Sequence, residues 1–105
     1  MNYVTLIHPF EVNINQEQEF LNAWNIVDQY MIEQKGFIKT KLYRSLSDPN
    51  AASVSFTNVA VWQSSELFME AISQERFKLI SREVLTFSSG PKLYQVFYQA
   101  KAEKY

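Results

Sequence analysis

The chain has 105 residues, 47% of them apolar and 15% aromatic, with a formal charge of −1 and no cysteine. That length holds one domain, and interspersed charges without a basic patch speak against nucleic acid as a partner. The missing cysteines exclude disulfides, thiolate nucleophiles and cysteine-ligated zinc or iron–sulfur centres.

No apolar run approaches the ~18 residues that would span a bilayer, and Glu11 and Asn13 interrupt the N-terminal segment early. A soluble, cytoplasmic protein with no membrane partner is expected. A chain this short buries only about two-thirds of its unfolded surface. Eight Phe, six Tyr and two Trp are many large rings for so small a core. They predict either a ligand cavity or a face covered by a partner.

Residues 3–12 alternate as a strand, with Val4, Leu6, His8, Phe10 and Val12 on one face and Tyr3, Thr5, Ile7, Pro9 and Glu11 on the other. Pro9 lacks a ladder donor, which suits an edge or a bulge. Asn15 and Gln18 have the spacing of a reciprocal helix cap, and the helix runs to about Gln34. Phe20, Trp24, Val27 and Met31 form its apolar stripe. Lys35-Gly36 stops it, because Gly36 can turn left-handed.

Residues 37–44 read as the second strand, with Ile38, Thr40, Leu42 and Arg44 on one face. Ser47-Asp48-Pro49-Asn50 is a turn cluster. The third strand, residues 54–62, alternates Val54, Phe56, Asn58, Ala60 and Trp62 against Ser55, Thr57, Val59 and Val61. Ser64 or Ser65 caps a helix from Glu66 to about Ile72, and Phe77, Ile80, Val84 and Phe87 recur at helical spacing in a further one. After Ser88-Ser89-Gly90-Pro91 comes a last strand, residues 93–99, then a polar tail, 100–105.

The order is β-α-β-β-α-β. It predicts an α+β, ferredoxin-like fold: a four-stranded antiparallel sheet with its helices on one face, in a single domain spanning residues 1–105. The strands are apolar on both faces and the helices cover only one. Tyr3, Ile7, Val59 and Val61 therefore predict a homodimer joined through the open sheet face.

Polar residues on the helix-facing side are the candidates for chemistry. His8 is the only histidine: either a core residue satisfied by a backbone carbonyl, or a pocket donor or base. Asn58 is an amide on an otherwise apolar face, costly there without a bond. Trp62 lies four residues on, roughly 13 Å along the strand, and the pair can bracket a flat polycyclic ligand. Arg44 either pins a ligand anion or pairs with Asp48. Trp24 and Tyr30 on the first helix, Phe56 on the third strand, and Phe77 and Ser81 on the last helix complete the expected lining. If these residues converge, they should enclose a void of about 300 Å³ or more. One His and no Cys leave no nucleophilic triad, and no cluster has metal-ligand spacing.

Three segments carry a family resemblance. They are Val4-Thr5-Leu6-Ile7-His8-Pro9-Phe10-Glu11-Val12, then Gly36-Phe37 with Leu42-Tyr43-Arg44-Ser45-Leu46, and Asn58-Val59-Ala60-Val61-Trp62-Gln63-Ser64. With Glu19-Phe20, Trp24 and Phe77 they span residues 3–98. In this order and spacing the chain resembles the antibiotic biosynthesis monooxygenase family.

The resemblance implies a dimeric α+β barrel whose subunits oxygenate electron-rich aromatics, such as phenols, quinols or anthrone-like rings, with dioxygen and without flavin or metal. Asn58 and Trp62 match the family's pocket asparagine and tryptophan, for holding the oxyanion and walling the ring. His8 falls where the haem-degrading branch has asparagine. That branch's iron-binding histidine is matched by Ser81, which ranks haem degradation below cofactor-free oxygenation. A non-catalytic ligand-binding or stress-response role on the same scaffold is the other alternative.

Overall fold

The computed structural model describes residues 2–46 and 49–103. Ser47 and Asp48 of the expected turn, and the last two residues of the tail, lie outside them. The elements are β1 (Val4–Asn13), a 3-10 turn (Ile14–Gln16), α1 (Glu17–Met31), β2 (Phe37–Arg44), β3 (Ser53–Trp62), α2 (Ser65–Ser73), α3 (Glu75–Ile80), α4 (Arg82–Leu85) and β4 (Lys92–Tyr94).

The strands form one sheet in the order β2-β3-β1-β4, and every neighbouring pair is antiparallel. This is the expected ferredoxin-like α+β arrangement. The shortest dimension is 19 Å, the thickness of one sheet plus one layer of helices.

Alternation in β1 and β3 sets the core. Val4, Leu6, Phe10 and Val12 are buried on β1, as are Val54, Phe56, Ala60 and Trp62 on β3. They divide into two clusters. One gathers Phe10, Val12, Val54 and Phe56 around Phe20, Ala23 and Val84. The other gathers Val4, Leu6, Ala60 and Trp62 against Phe68 and Ala71 of α2. His8 and Asn58 are register partners in the β1–β3 ladder. The one polar pair on this face therefore sits at the seam between two apolar clusters.

Several local expectations are corrected. Pro9 lies on an interior strand, not an edge. Its carbonyl accepts from the Ser89 N–H at 2.9 Å, so its nitrogen also points away from β3. β4 pairs only with Thr5–Ile7, so no ladder donor is missed there. The first cap is Asn13, whose side chain accepts from the Asn15 N–H of the 3-10 turn, while Gln18 donates to Asn22. The helix itself ends at Met31, earlier than expected.

The register between β2 and β3 slips between Phe37 and Lys39. That irregularity drops Ile38 from the helix-facing row and puts Phe37 into it, against Trp62. The last helix is broken in two at Ser81. β4 is three residues long, and Val96, Phe97 and Tyr98 are exposed instead of continuing it.

Other punctuation holds. Gly36 ends the α1 segment with φ +94°, and Ser64 caps α2, accepting from the Leu67 N–H at 3.2 Å. Among the described residues no helix is long and apolar enough to cross a membrane.

Candidate active site

Between sheet and helices lies a cavity of about 210 Å³, partly open to solvent. It is smaller than the ~300 Å³ expected, because rings from both clusters reach into it. Its floor is the seam: His8, Asn58, Thr40 and Trp62. Its roof includes Trp24 and Asp28 of α1, Phe68 of α2 and Phe77 of α3, with Ser81 at the helix break. The wall is overwhelmingly apolar, so any polar group in it acts in a low dielectric.

Asn58 is oriented by Thr40, whose hydroxyl donates to the amide Oδ1. The Nδ2–H donors make no hydrogen bond to the described residues. An amide fixed by its oxygen, with its donors unbonded among the described residues on a cavity wall, can donate to an anionic oxygen. Trp62 is almost fully buried, clasped edge-on by Phe37 at 5.5 Å and Phe68 at 5.4 Å between ring centroids. Its indole is a rigid wall.

His8 stacks on Phe10 at 4.2 Å, and its Nε2 lies 2.7 Å from Ser88 Oγ, which also accepts the Gly90 N–H at 3.0 Å. The partner is thus a loop hydroxyl, not a backbone carbonyl. Burial lowers the imidazole pKa to about 4, because the charged form loses hydration. At neutral pH the ring is uncharged, with one nitrogen committed to Ser88.

Of the expected lining, Trp24, Phe77 and Ser81 reach the cavity with His8, Asn58 and Trp62; Tyr30, Arg44 and Phe56 do not. Tyr30 turns to the other flank of α1 and donates its hydroxyl to the Ala71 carbonyl at 2.8 Å, tying α1 to α2. Arg44 is exposed and grips Glu17 with two hydrogen bonds of 2.8 and 3.2 Å, which holds the Glu17 carboxyl below its ordinary range. Phe56 is packed against Phe20 inside the first cluster.

Two polar lining residues were not anticipated: Thr40, read only as a strand position, and Asp28, one turn after Trp24. The i, i+4 relation of Asp28 to a pocket tryptophan was the available signal.

A βαββαβ sheet with an apolar, amide-bearing cavity beneath its helices defines a small α+β ligand-cavity protein. The sequence pattern of the antibiotic biosynthesis monooxygenases matches residues 4–82. The chain belongs to that family, whose members are generally dimeric and bind small molecules.

Three solved structures share the fold. A candidate monooxygenase from Shewanella loihica PV-4 is 30% identical, with 93% of this chain and 97% of that chain covered and a TM-score of 0.74. SnoaB from Streptomyces nogalater, described as a cofactor-independent oxygenase, is 18% identical over 99% of this chain and 100% of its own, with a TM-score of 0.72. A candidate antibiotic biosynthesis monooxygenase from Nitrosomonas europaea is 14% identical over 95% of each chain, with a TM-score of 0.73. No curated protein matches the chain.

Proposed function

We propose that this protein is a cofactor-independent monooxygenase that oxygenates a small, flat, electron-rich aromatic, a phenol, quinol or anthrone-like ring, with dioxygen. The observation that carries the reading is the seam. His8 and Asn58 face each other at the polar break in an apolar floor, and the amide donors of Asn58 make no hydrogen bond among the described residues.

The reaction needs four things: a bound ring, loss of a proton, stabilisation of the resulting anion, and exclusion of water. Trp24, Trp62, Phe68 and Phe77 supply flat apolar contact for the ring. Asn58, pre-oriented by Thr40, donates to the oxygen on which charge develops. The apolar wall keeps water from competing for the anion. Neutral His8 assists proton movement beside Asn58 through its remaining nitrogen.

The ionised substrate itself then supplies electrons to dioxygen. For an anthrone-like methylene the balance is one CH₂ and one O₂ giving one C=O and one water. SnoaB, described as a cofactor-independent oxygenase on the same fold, supports this class of chemistry. Among the described residues no cluster of His, Cys, Asp or Glu is arranged to hold a metal ion. By the family resemblance, Ser81 falls where the haem-degrading branch has its iron ligand.

The test is oxygen uptake by the purified protein on a panel of phenols, quinols and anthrones, with iron and flavin withheld. Turnover is expected, and Asn58→Ala should lower it about 100-fold. A wild type that binds the panel without consuming oxygen would favour the non-catalytic binding role.

The same proposal includes a cytoplasmic homodimer. The sheet face away from the helices carries half-buried Ile7, Val59 and Val61 with no helix of the described residues over them, and a second copy's sheet is the complementary cover. Sedimentation should show twice the chain mass.

A further inference from the structure

We propose that Asp28 is the proton acceptor of this cavity, taking the ionisable proton of the bound aromatic so that the substrate becomes the anion dioxygen attacks. The inference rests on the oxygenase reading and adds to it the group that starts the reaction.

Helical geometry places Asp28. Glu17 and Asp28 are eleven residues apart, three turns plus about 20°, so they share one flank of α1. That flank runs along β2, as the grip of Glu17 on Arg44 at the far end of β2 shows. Because α1 and β2 run in opposite senses, Asp28 lies toward the start of β2, and it lines the cavity with Phe37 and Thr40. The two carboxylates have opposite fates. Glu17 is outside the cavity and ion-paired. Asp28 is on the cavity wall, and its carboxylate has neither hydrogen bond nor ion pair among the described residues.

An unpaired carboxylate on an apolar wall costs stability and holds nothing together. It caps no helix and bridges no element. What it can do is accept a proton from a ligand. Among the described residues His8 and Asp28 are the only titratable groups lining the cavity, and the choice between them follows from one effect with two signs. Burial weakens His8 as a base, to a pKa of about 4, and one of its nitrogens is already bonded to Ser88. The same burial pushes the Asp28 carboxyl above its ordinary range and strengthens it as a base.

Other elements packed on α1 carry charge: Arg44 of β2, held by Glu17; Arg76 and Lys78 of α3; Arg82 and Glu83 of α4. None enters as a cause of the Asp28 shift, which is burial alone.

The step balances for an anthrone-like ring. A C–H bond of the methylene breaks, its proton goes to an Asp28 oxygen, and the electron pair delocalises onto the ring oxygen facing the Asn58 amide. The carbanion end forms a C–O bond to dioxygen, and Asp28 returns its proton to the terminal peroxide oxygen. Removal of the second methylene proton by the regenerated carboxylate breaks the O–O bond. Hydroxide leaves, takes up that proton as water, and the C=O remains.

The experiment compares wild type with Asp28→Asn, an isosteric change, by oxygen uptake from pH 5 to 9 and by tryptophan quenching on binding. Two ligands are used: an anthrone as substrate, and a nitro-substituted phenol, already ionised at pH 7 and too electron-poor to be oxygenated, as an anionic ligand. On the anthrone, Asp28→Asn should lose about 100-fold in rate at pH 7, lose the acidic limb of the profile, and keep its binding within a few-fold. The pre-ionised phenol should bind Asp28→Asn as tightly as wild type or more tightly, because there the wild-type carboxylate only repels the ligand.

An Asp28→Asn protein as fast as wild type on the anthrone, with an unchanged profile, overturns the inference. So does one that is slow on the anthrone and also weakened in binding the phenolate, which marks a structural role. A wild type that takes up no oxygen from any substrate fails at the oxygenase reading itself. That result is distinct from a working wild type beside an equally fast variant.

Discussion

At the scale of single residues, orientation matters more than identity. Asn58 is useful only while its oxygen is occupied and its donors face the cavity, and the Thr40 hydroxyl fixes that choice. Thr40→Val keeps the shape and removes the bond, so the amide can turn over. Oxygen uptake should fall about tenfold, the worth of roughly one hydrogen bond, with binding barely changed, and Thr40→Ser should restore the rate. An unaffected Thr40→Val enzyme would mean that Asn58 is held by something else. His8, Asn58 and Trp62 were legible in the sequence because strand alternation fixes a face regardless of packing. Asp28 was not, since a polar residue about 80° off a helix stripe reads as solvated. Tyr30, Arg44 and Phe56 were misplaced for different reasons. The first faces the opposite flank of α1, the second has an ion-pair partner 27 positions away, and the third is one residue too deep in a cluster.

At the scale of elements, what positions the cavity is how strands and helices end. Gly36 and Gly90 both have positive φ, +94° and +100°, but only one is crowded. A Cβ on Gly36 would lie 2.6 Å from the Leu67 Cβ, while one on Gly90 meets nothing within 4 Å. Gly36→Ala should therefore cost about 2–4 kcal/mol, backbone strain plus overlap with α2. Gly90→Ala should cost about 1 kcal/mol, strain alone. Urea midpoints check the contrast, and equal losses would contradict it. Element types followed from periodicity, yet their ends did not. The break at Ser81 and the short β4 carry no local sequence signal, and neither does the bond from the Ser89 N–H to the Pro9 carbonyl ahead of β4. The slip that drops Ile38 from its row is equally invisible to strict alternation.

At the scale of the whole molecule, two apolar clusters meet imperfectly, and the gap between them is the cavity. The composition foreshadowed this: with eight Phe, six Tyr and two Trp in 105 residues, a two-layer fold cannot bury every ring on one side of one sheet. Some rings line a hollow, and some apolar residues remain on the open sheet face. Both tryptophans of the chain, Trp24 and Trp62, stand in the cavity wall. Intrinsic tryptophan fluorescence is therefore a reporter of the cavity alone. Titration with an unreactive planar hydroxyanthraquinone, for wild type and for Trp24→Phe, tests the central claim that this seam is where the aromatic binds. Saturable quenching is predicted in both proteins, with a weaker midpoint in Trp24→Phe, where part of the ring's flat contact is lost. A ligand that binds by calorimetry yet leaves the emission unchanged would place the site elsewhere.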